Sequence, residues 1–296
     1  MKVVETASEL SSLCKEYEKK GESIGFVPTM GALHAGHISL VRKAKAECDL
    51  AVCSIFVNPT QFNNSLDLDR YPRDMEPDKA MLQKAGCEIL FHPGVDEMYP
   101  EGLNTLGVPS EDGIRIFDKE LQGVVFGKMG DVMEGKQRRG HFKGVAVVVS
   151  RLFNMVQPTK AYFGEKDFQQ LAIIKEMVRQ TGSQIEIIGC PTLREKNGLA
   201  MSSRNQRLTK EERDKASVLF TTLKWMKENR KAFSLETLKR KGEAMIRTVR
   251  GVDLEYLEVS NPRSLEPISG EGGKGQFVVC VAANVAGVRL IDNIII

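Results

Sequence analysis

The sequence has no close cysteine pair. Its six cysteines, Cys14, Cys48, Cys53, Cys87, Cys190 and Cys280, are scattered, and no C-x-x-C occurs. That spacing argues against a disulfide framework and against a zinc site. Most of them lie in apolar runs, where a thiol packs as a small hydrophobe. Reduced thiols go with a reducing compartment, so a cytoplasmic location is expected. No apolar run is long enough to cross a bilayer. The opening Met1–Glu5 turns polar at once, so no secretory or transit leader is expected. An excess of one charge is missing too. Lys and Arg number 42 against 39 Asp and Glu, a formal net charge of +3, and the two signs are intermixed. With no basic stripe, neither a nucleic-acid nor a membrane partner is expected. There are no internal repeats.

What is present is an ordinary globular composition, 42% hydrophobic and 27% charged over 296 residues, long enough for two domains. Thr6 to Lys20 reads as a helix with Thr6 or Ser8 as cap and Gly21 as stop. Ser23 to Pro28, Ala51 to Val57, Glu88 to Phe91, Ala161 to Phe163 and Ile185 to Ile188 are short apolar runs. Helical patterns separate them at Gly36 to Glu47, Pro77 to Ala85, His141 to Val156 and Phe168 to Thr181. Strands that are apolar throughout and alternate with helices predict a parallel sheet covered on both faces. The stretch from Pro93 to Gly140 is Gly-rich and charged, and reads as loop and insertion. After Cys190-Pro191 the pattern changes. Two helices, Lys210 to Asn229 and Ser234 to Arg250, precede strands at Leu254 to Val259, Gln276 to Ala282 and Val288 to Ile295, with a flexible loop at Ser269 to Gly275. The fold class is therefore α/β: a Rossmann-like nucleotide-binding domain over 1–189 and a smaller C-terminal α+β domain over 190–296.

Four segments carry chemistry, most of them at a strand end. His34-Ala35-Gly36-His37 lies between a strand and a helix. The N–H groups and positive dipole of a helix start suit phosphate. Gly36 allows close backbone approach, and two imidazoles can donate to phosphate oxygens. Gly164-Glu165-Lys166-Asp167 sits at a second strand-to-helix junction. Lys166 either reaches a β- or γ-phosphate or is a solvated surface lysine. Asp167 either accepts from ribose hydroxyls or caps the helix. Met201-Ser202-Ser203-Arg204 offers two hydroxyls and a guanidinium for closure over a triphosphate. A linker that happens to hold those residues is the other reading. Finally, Gln61, in Asn58-Pro59-Thr60-Gln61-Phe62, and Gln170 are neutral amides able to hold a hydroxy-acid.

Together these segments resemble a known family. Pro28-Thr29-Met30-Gly31-Ala32-Leu33-His34-Ala35-Gly36-His37, Phe56-Val57-Asn58-Pro59, Tyr71-Pro72-Arg73, His141-Phe142-x-Gly144-Val145, Phe163-Gly164-Glu165-Lys166-Asp167-x-Gln169-Gln170, Gly198 to Asn205 and the closing Val288 to Asn293 are similar to the pantothenate synthetases, the pantoate–β-alanine ligases. The resemblance implies that pantoate is activated by ATP to an acyl-adenylate and then joined to β-alanine, with release of diphosphate and AMP. It implies His37 and His34 as catalytic residues, with Lys166 and Arg204. It places ATP on Met30, Gly31, Ala32, Leu33, His34, Ala35, Gly36 and His37, on Gly164, Glu165, Lys166 and Asp167, and on Met201, Ser202, Ser203 and Arg204. Leu193 falls where the family makes a backbone contact to adenine. Gln61, Gln170, Met30 and Asn58 would meet the substrates. A Mg2+ ion accompanies the triphosphate in the family, and Asp78, in Glu76-Pro77-Asp78, falls near its acidic metal cluster. A homodimer is also implied. The stretch between Tyr99 and Arg139 looks longer than in many bacterial members. The H-x-G-H motif itself is shared with other nucleotidyltransferases and with class I aminoacyl-tRNA synthetases. The alternatives are a nucleotidyltransferase acting on a phosphorylated acceptor, which calls for Lys or Arg in place of the two glutamines, and a non-enzymatic ATP-binding module.

Overall fold

A strand that is apolar on every residue needs cover on both of its faces, and the chain supplies it. The computed structural model describes residues 1–62, 68–69, 71–103, 109–110, 113–114, 121–268 and 275–296. Its strands are β1 (Lys2–Val4), β2 (Ile24–Thr29), β3 (Leu50–Ile55), β4 (Ile89–Phe91), β5 (Pro109–Ser110), β6 (Gly113–Ile114), β7 (Lys160–Gly164), β8 (Glu186–Cys190), β9 (Val252–Ser260), β10 (Val278–Val285) and β11 (Val288–Ile295). Its helices are α1 (Ala7–Lys19), α2 (Ala35–Glu47), α3 (Met75–Ala85), α4 (Val95–Met98), α5 (Met133–Gln137), α6 (His141–Val156), α7 (Phe168–Thr181), α8 (Lys210–Ala216), α9 (Val218–Glu228) and α10 (Leu235–Arg247).

The chain forms two compact units. The first holds residues 1–126, 138–165 and 170–190, the second 127–137, 166–169 and 191–296. In the first, six parallel strands run in the order β1-β4-β3-β2-β7-β8. Alternate residues of β2 and β3 feed two cores. Phe26, Leu50 and Val52 pack with Val145, Val149 and Ile174. Val27, Ala51, Cys53 and Ile55 pack with Ile38, Val41 and Leu82. Strand order reverses between β2, which pairs with β3, and β7, which pairs with β8. Ligands of open α/β sheets bind beyond the carboxyl ends of the strands at such a reversal. Here those ends are Thr29 and Gly164.

The second unit packs α9 and α10 against an antiparallel sheet, β11-β10-β9, with Leu219, Leu223, Leu238, Leu257 and Val281 at its centre. Two sequence-distant segments join it through buried polar groups. Glu134 is 7% exposed and accepts from Arg289 Nη1 and Nη2, both at 2.7 Å, and from the Tyr256 hydroxyl at 2.8 Å. Gln169 Nε2 donates to the Met129 and Val132 carbonyls at 2.9 Å, while its Oε1 accepts from the Glu134 amide at 3.0 Å.

The α/β architecture expected from the pattern is the one found. β1, which the pattern does not predict, is a three-residue edge strand paired with β4, with Val4 alone of its residues buried in the core. The single helix expected over Lys210 to Asn229 is two, α8 and α9, meeting at Ser217. The Ser217 hydroxyl donates to the Asp214 carbonyl at 2.6 Å, a local bond that competes with helix continuation. The stretch 93–140 contains α4, α5, a short β5–β6 hairpin and a 3-10 turn at Gly127–Gly130. Its residues 104–108, 111–112 and 115–120 lie outside the described residues, as does the expected 269–275 loop apart from Gly275.

All six cysteines are free and buried. Burial pushes the Cys87 thiol up to about 12, and those of Cys14 and Cys190 to about 11. Because thiolate is the reactive form, the folded protein is expected to give no rapid reaction with a disulfide reagent at pH 8. Six thiols per chain should titrate once guanidinium unfolds it. A rapid native-state stoichiometry of one or more would contradict this burial.

Candidate active site

The segment after β2 is a tight, partly strained turn. Gly31 and Ala32 both have positive φ, 80° and 49°, a conformation that costs a non-glycine residue free energy and gathers at functional sites. A Cβ on Gly31 would sit 3.0 Å from Ile55 and 3.1 Å from the Asp78 carboxylate. Asp78, 3% exposed, accepts from the Leu33 amide at 2.7 Å and also from the Ala32 amide. Burial raises its pKa, and the two N–H groups pull it back down. Asp78 therefore ties down the turn. Among the described residues, no group of three or more His, Cys, Asp or Glu is arranged to hold a metal ion. A single buried carboxylate occupied by backbone N–H groups does not fit the role of a magnesium anchor.

His34 and His37 begin α2. His34 is its N-cap, and its Nδ1 accepts from the Gly36 amide at 3.1 Å. The His37 Nδ1 accepts from the His34 amide at 3.3 Å, closing a capping box. The rings lie 4.0 Å apart, centroid to centroid. Because a backbone N–H is the donor in both bonds, each Nδ1 must be unprotonated. The proton of each neutral imidazole then sits on Nε2. The fold thus fixes two Nε2–H donors at a helix N-terminus, where the dipole favours anions.

The turn after β3 carries the amides. Asn58, 1% exposed, caps the 3-10 turn Pro59–Gln61. Its Oδ1 accepts from Thr60 N, Thr60 Oγ1 and the Tyr99 hydroxyl at 3.3, 3.0 and 2.7 Å. Its Nδ2 donates to Gln61 Oε1 at 3.2 Å and to the Gly144 carbonyl at 3.3 Å. Asn58 is expected beside the substrate, yet both its donor hydrogens are committed within the protein. Gln61 is 8% exposed, and its Nε2 donates to the Met30 sulfur at 2.9 Å. Among the described residues only one of its two amide hydrogens is used, and on a weak acceptor. Its backbone carbonyl accepts from His141 Nδ1 at 2.9 Å and from Arg138 Nη2 at 3.2 Å. Arg138 Nη1 lies 3.1 Å from His141 Nε2. A guanidinium can only donate, so His141 accepts at Nε2 and carries its proton on Nδ1. The sequence singled out His141 and Gly144 without giving them a role. Their signal was the unusual His-Phe-x-Gly start of a helix that buries twelve of its sixteen residues.

Met30 to His37, Asn58 and Gln61 are thus brought together in the first unit, which also holds Gly164 at the end of β7, Glu165 just after it, and Gln170 on α7. Gln169, not Gln170, makes the hydrogen bonds to the 129–134 segment.

The remaining candidates belong to the second unit. Lys166 Nζ lies 3.4 Å from Asp167 Oδ1 in a 3-10 turn. The Ser202 hydroxyl caps the turn Ser203–Arg207 by accepting from the Arg204 amide at 3.3 Å. Asn205, part of the motif read from the sequence but given no role there, holds this segment in place. Its Nδ2 donates to Glu195 Oε1 at 2.7 Å and to the Ala200 carbonyl at 3.0 Å. The Leu193 side chain is 41% exposed, and its carbonyl accepts from the Met201 amide at 2.9 Å.

Comparison with known proteins gives one consistent result. A sequence profile described as Pantoate-beta-alanine ligase matches residues 2–295. The chain is 45% identical to the pantothenate synthetase of Caldicellulosiruptor bescii over 298 aligned positions, which cover 100% of this chain and 99% of that one. It is 44% identical to the enzyme of Porphyromonas gingivalis, with 99% of each covered. The crystal structure of pantothenate synthetase from Thermus thermophilus superimposes with a TM-score of 0.87 at 44% identity, covering 99% of each chain. That of the Francisella tularensis ligase, complexed with beta-gamma ATP and beta-alanine, gives 0.76 at 34% identity, covering 99% of this chain and 97% of that one.

Proposed function

The chain belongs to the pantoate–β-alanine ligase family, and from that premise we propose how its residues form pantothenate from pantoate, β-alanine and ATP. The observation that carries the reading is the pair of Nε2–H imidazoles capping α2, followed one strand later by the Gln61 carboxamide. A pantoate carboxylate oxygen attacks the α-phosphorus of ATP, and diphosphate leaves. The β-alanine amine then attacks the acyl carbon of the mixed anhydride, losing a proton as the C–N bond forms, and AMP leaves with the former carboxylate oxygen. Positioning and charge stabilisation set both barriers.

His37, assisted by His34, donates to the α-phosphate oxygens as charge builds there. The loop Met30 to Gly36 with Gly164 and Glu165 contacts the nucleotide, and Leu193 offers its backbone to adenine. Lys166, Ser202, Ser203 and Arg204 bind the β- and γ-phosphates, and Asp167 meets the ribose. Gln61 and Gln170 hold the hydroxyls and carboxylate of pantoate, with Asn58 and Met30 setting the Gln61 amide. A magnesium ion, which the family resemblance implies, would neutralise triphosphate charge; Asp78, taken up by the Leu33 and Ala32 amides, would not be the residue to hold it. The catalytic domain, expected over 1–189, is the unit of 1–126, 138–165 and 170–190, since 127–137 and 166–169 pack with the C-terminal unit. Residues 190–296 act as a lid that keeps water from the adenylate. The family resemblance supports a homodimer, and six reduced, buried thiols support a cytoplasmic location. Transfer of a nucleotide to a phosphorylated acceptor is not favoured, since neutral Gln61 and Gln170 stand where such an acceptor would call for Lys or Arg.

The test is product analysis. ATP, pantoate and β-alanine together should give AMP and pantothenate in equal amounts. Without β-alanine, diphosphate should exchange into ATP only when pantoate is present. Exchange that ignores pantoate, or AMP without pantothenate, would reject the assignment.

A further inference from the structure

β11 carries two adjacent buried polar residues, Asp292 and Asn293, 4% and 9% exposed. Neither belongs to the groups that bind substrate in the mechanism above. The Asn293 carboxamide Nδ2 donates to the Lys166 carbonyl at 2.8 Å. Asp292 receives both Nη atoms of Arg194, at 2.6 and 3.0 Å, and its Oδ1 also takes the Asn293 amide at 2.8 Å. Arg194 Nη1 in turn donates to the Gly198 carbonyl at 3.1 Å, and its guanidinium lies 3.8 Å over the Phe220 ring. Arg194 and Ala200 form a β-bridge, and the Met201 amide reaches the Leu193 carbonyl. Two segments nearly thirty positions apart in sequence, one holding Lys166 and one running into Met201–Arg204, are therefore fastened to adjacent residues of a single strand. Stability alone is a poor reason for the arrangement. A buried ion pair is often no better than apolar packing, whereas a side chain bonded to a distant carbonyl fixes where that residue's backbone lies.

We propose that Asp292 and Asn293 are positioning residues. Asn293 sets the backbone of Lys166, and Asp292, through Arg194, sets the Met201–Arg204 segment. The dipeptide thereby fixes the spacing of the groups that bind the β- and γ-phosphates of ATP. The proposal rests on the reading of Lys166 as a phosphate ligand.

The decisive experiment is a double-mutant cycle in pantoate-dependent ATP–diphosphate exchange, with Asn293→Ala, Lys166→Ala and the pair. A displacement of about an ångström can cost roughly a hundredfold. Asn293→Ala is therefore expected to lower the exchange kcat by about ten- to a hundredfold while leaving the KM for pantoate unchanged. In the Lys166→Ala background it should add less than about twofold, because there is no ammonium left to misplace. Asn293→Asp keeps the shape, loses the donor and provides the same measurement should the alanine variant fold poorly. Thermal melting identifies which variants are folded. A folded Asn293 variant with normal exchange overturns the proposal, and so does a variant that loses the same factor in both backgrounds. Normal exchange by Lys166→Ala alone removes the reading of Lys166 and the proposal with it. A damaging Lys166→Ala with an additive Asn293→Ala removes the proposal only.

Discussion

Replacing His37 with alanine is expected to slow adenylate formation by roughly two or more orders of magnitude, the scale of losing one transition-state donor. The change removes two things at once. It deletes the Nε2–H, and it deletes the Nδ1 that accepts from the His34 amide at 3.3 Å. Loss of a cap costs only about 1 kcal/mol of stability, so most of the damage should appear in rate rather than in folding. His37→Asn separates the two effects, because its Oδ1 reproduces the Nδ1 acceptor and nothing replaces Nε2. Its melting temperature should return towards that of the parent while its exchange rate stays low. Should His37→Asn turn over nearly as fast as the parent, the ring would be a helix cap and no more.

The second large effect is expected at Gly144, a residue with no side chain of its own. A Cβ on Gly144 would lie 2.4 Å from the Thr60 carbonyl oxygen and 2.7 Å from its carbon. Those are backbone atoms and cannot swing aside. Gly144→Ala must push α6 away from the turn Pro59–Gln61. That weakens the bond from Asn58 Nδ2 to the Gly144 carbonyl, and with it the bonds from His141 and Arg138 to the Gln61 carbonyl. Overpacking of this kind costs about 1–3 kcal/mol of stability. The KM for pantoate should rise at least about tenfold, equivalent to about 1.4 kcal/mol. The KM for ATP should change much less. Steady-state kinetics with each substrate varied in turn would decide it, and an unchanged pantoate KM in a folded variant would mean that Gln61 does not hold the acid.

The parts of the fold legible in the sequence are those governed by local pattern. β2, β3 and β7 are apolar on successive residues, and no other arrangement buries both faces. Thr6, Thr209 and Ser234 mark helix starts through side chains that accept from nearby amides. The strand-to-helix setting of His34 and His37 was legible for the same reason. What the sequence withheld depends on partners distant along the chain. Asn58 cannot be recognised as a bracket for Gln61 without knowing that Tyr99 and Gly144 lie against it. Asp78 carries no sign that it meets the Leu33 amide, and Gln169 and Gln170 look equivalent until one is found bonded to the 129–134 segment. The affiliation of 127–137 and 166–169 with the C-terminal unit follows from Glu134, Arg289 and Gln169, contacts separated by 35 to 155 positions.

The sulfur beside Gln61 has a consequence of its own. A thioether is a feeble acceptor, so the amide it occupies exchanges readily for a better oxygen. Met30 is only partly buried, and oxidation would turn that sulfur into a sulfoxide, whose oxygen is a strong, permanent acceptor. One added oxygen atom would then hold the carboxamide against its proper guest. The lesion is of the kind that methionine sulfoxide reductases reverse, so on the proposed role of Gln61 any loss of acid binding would be recoverable.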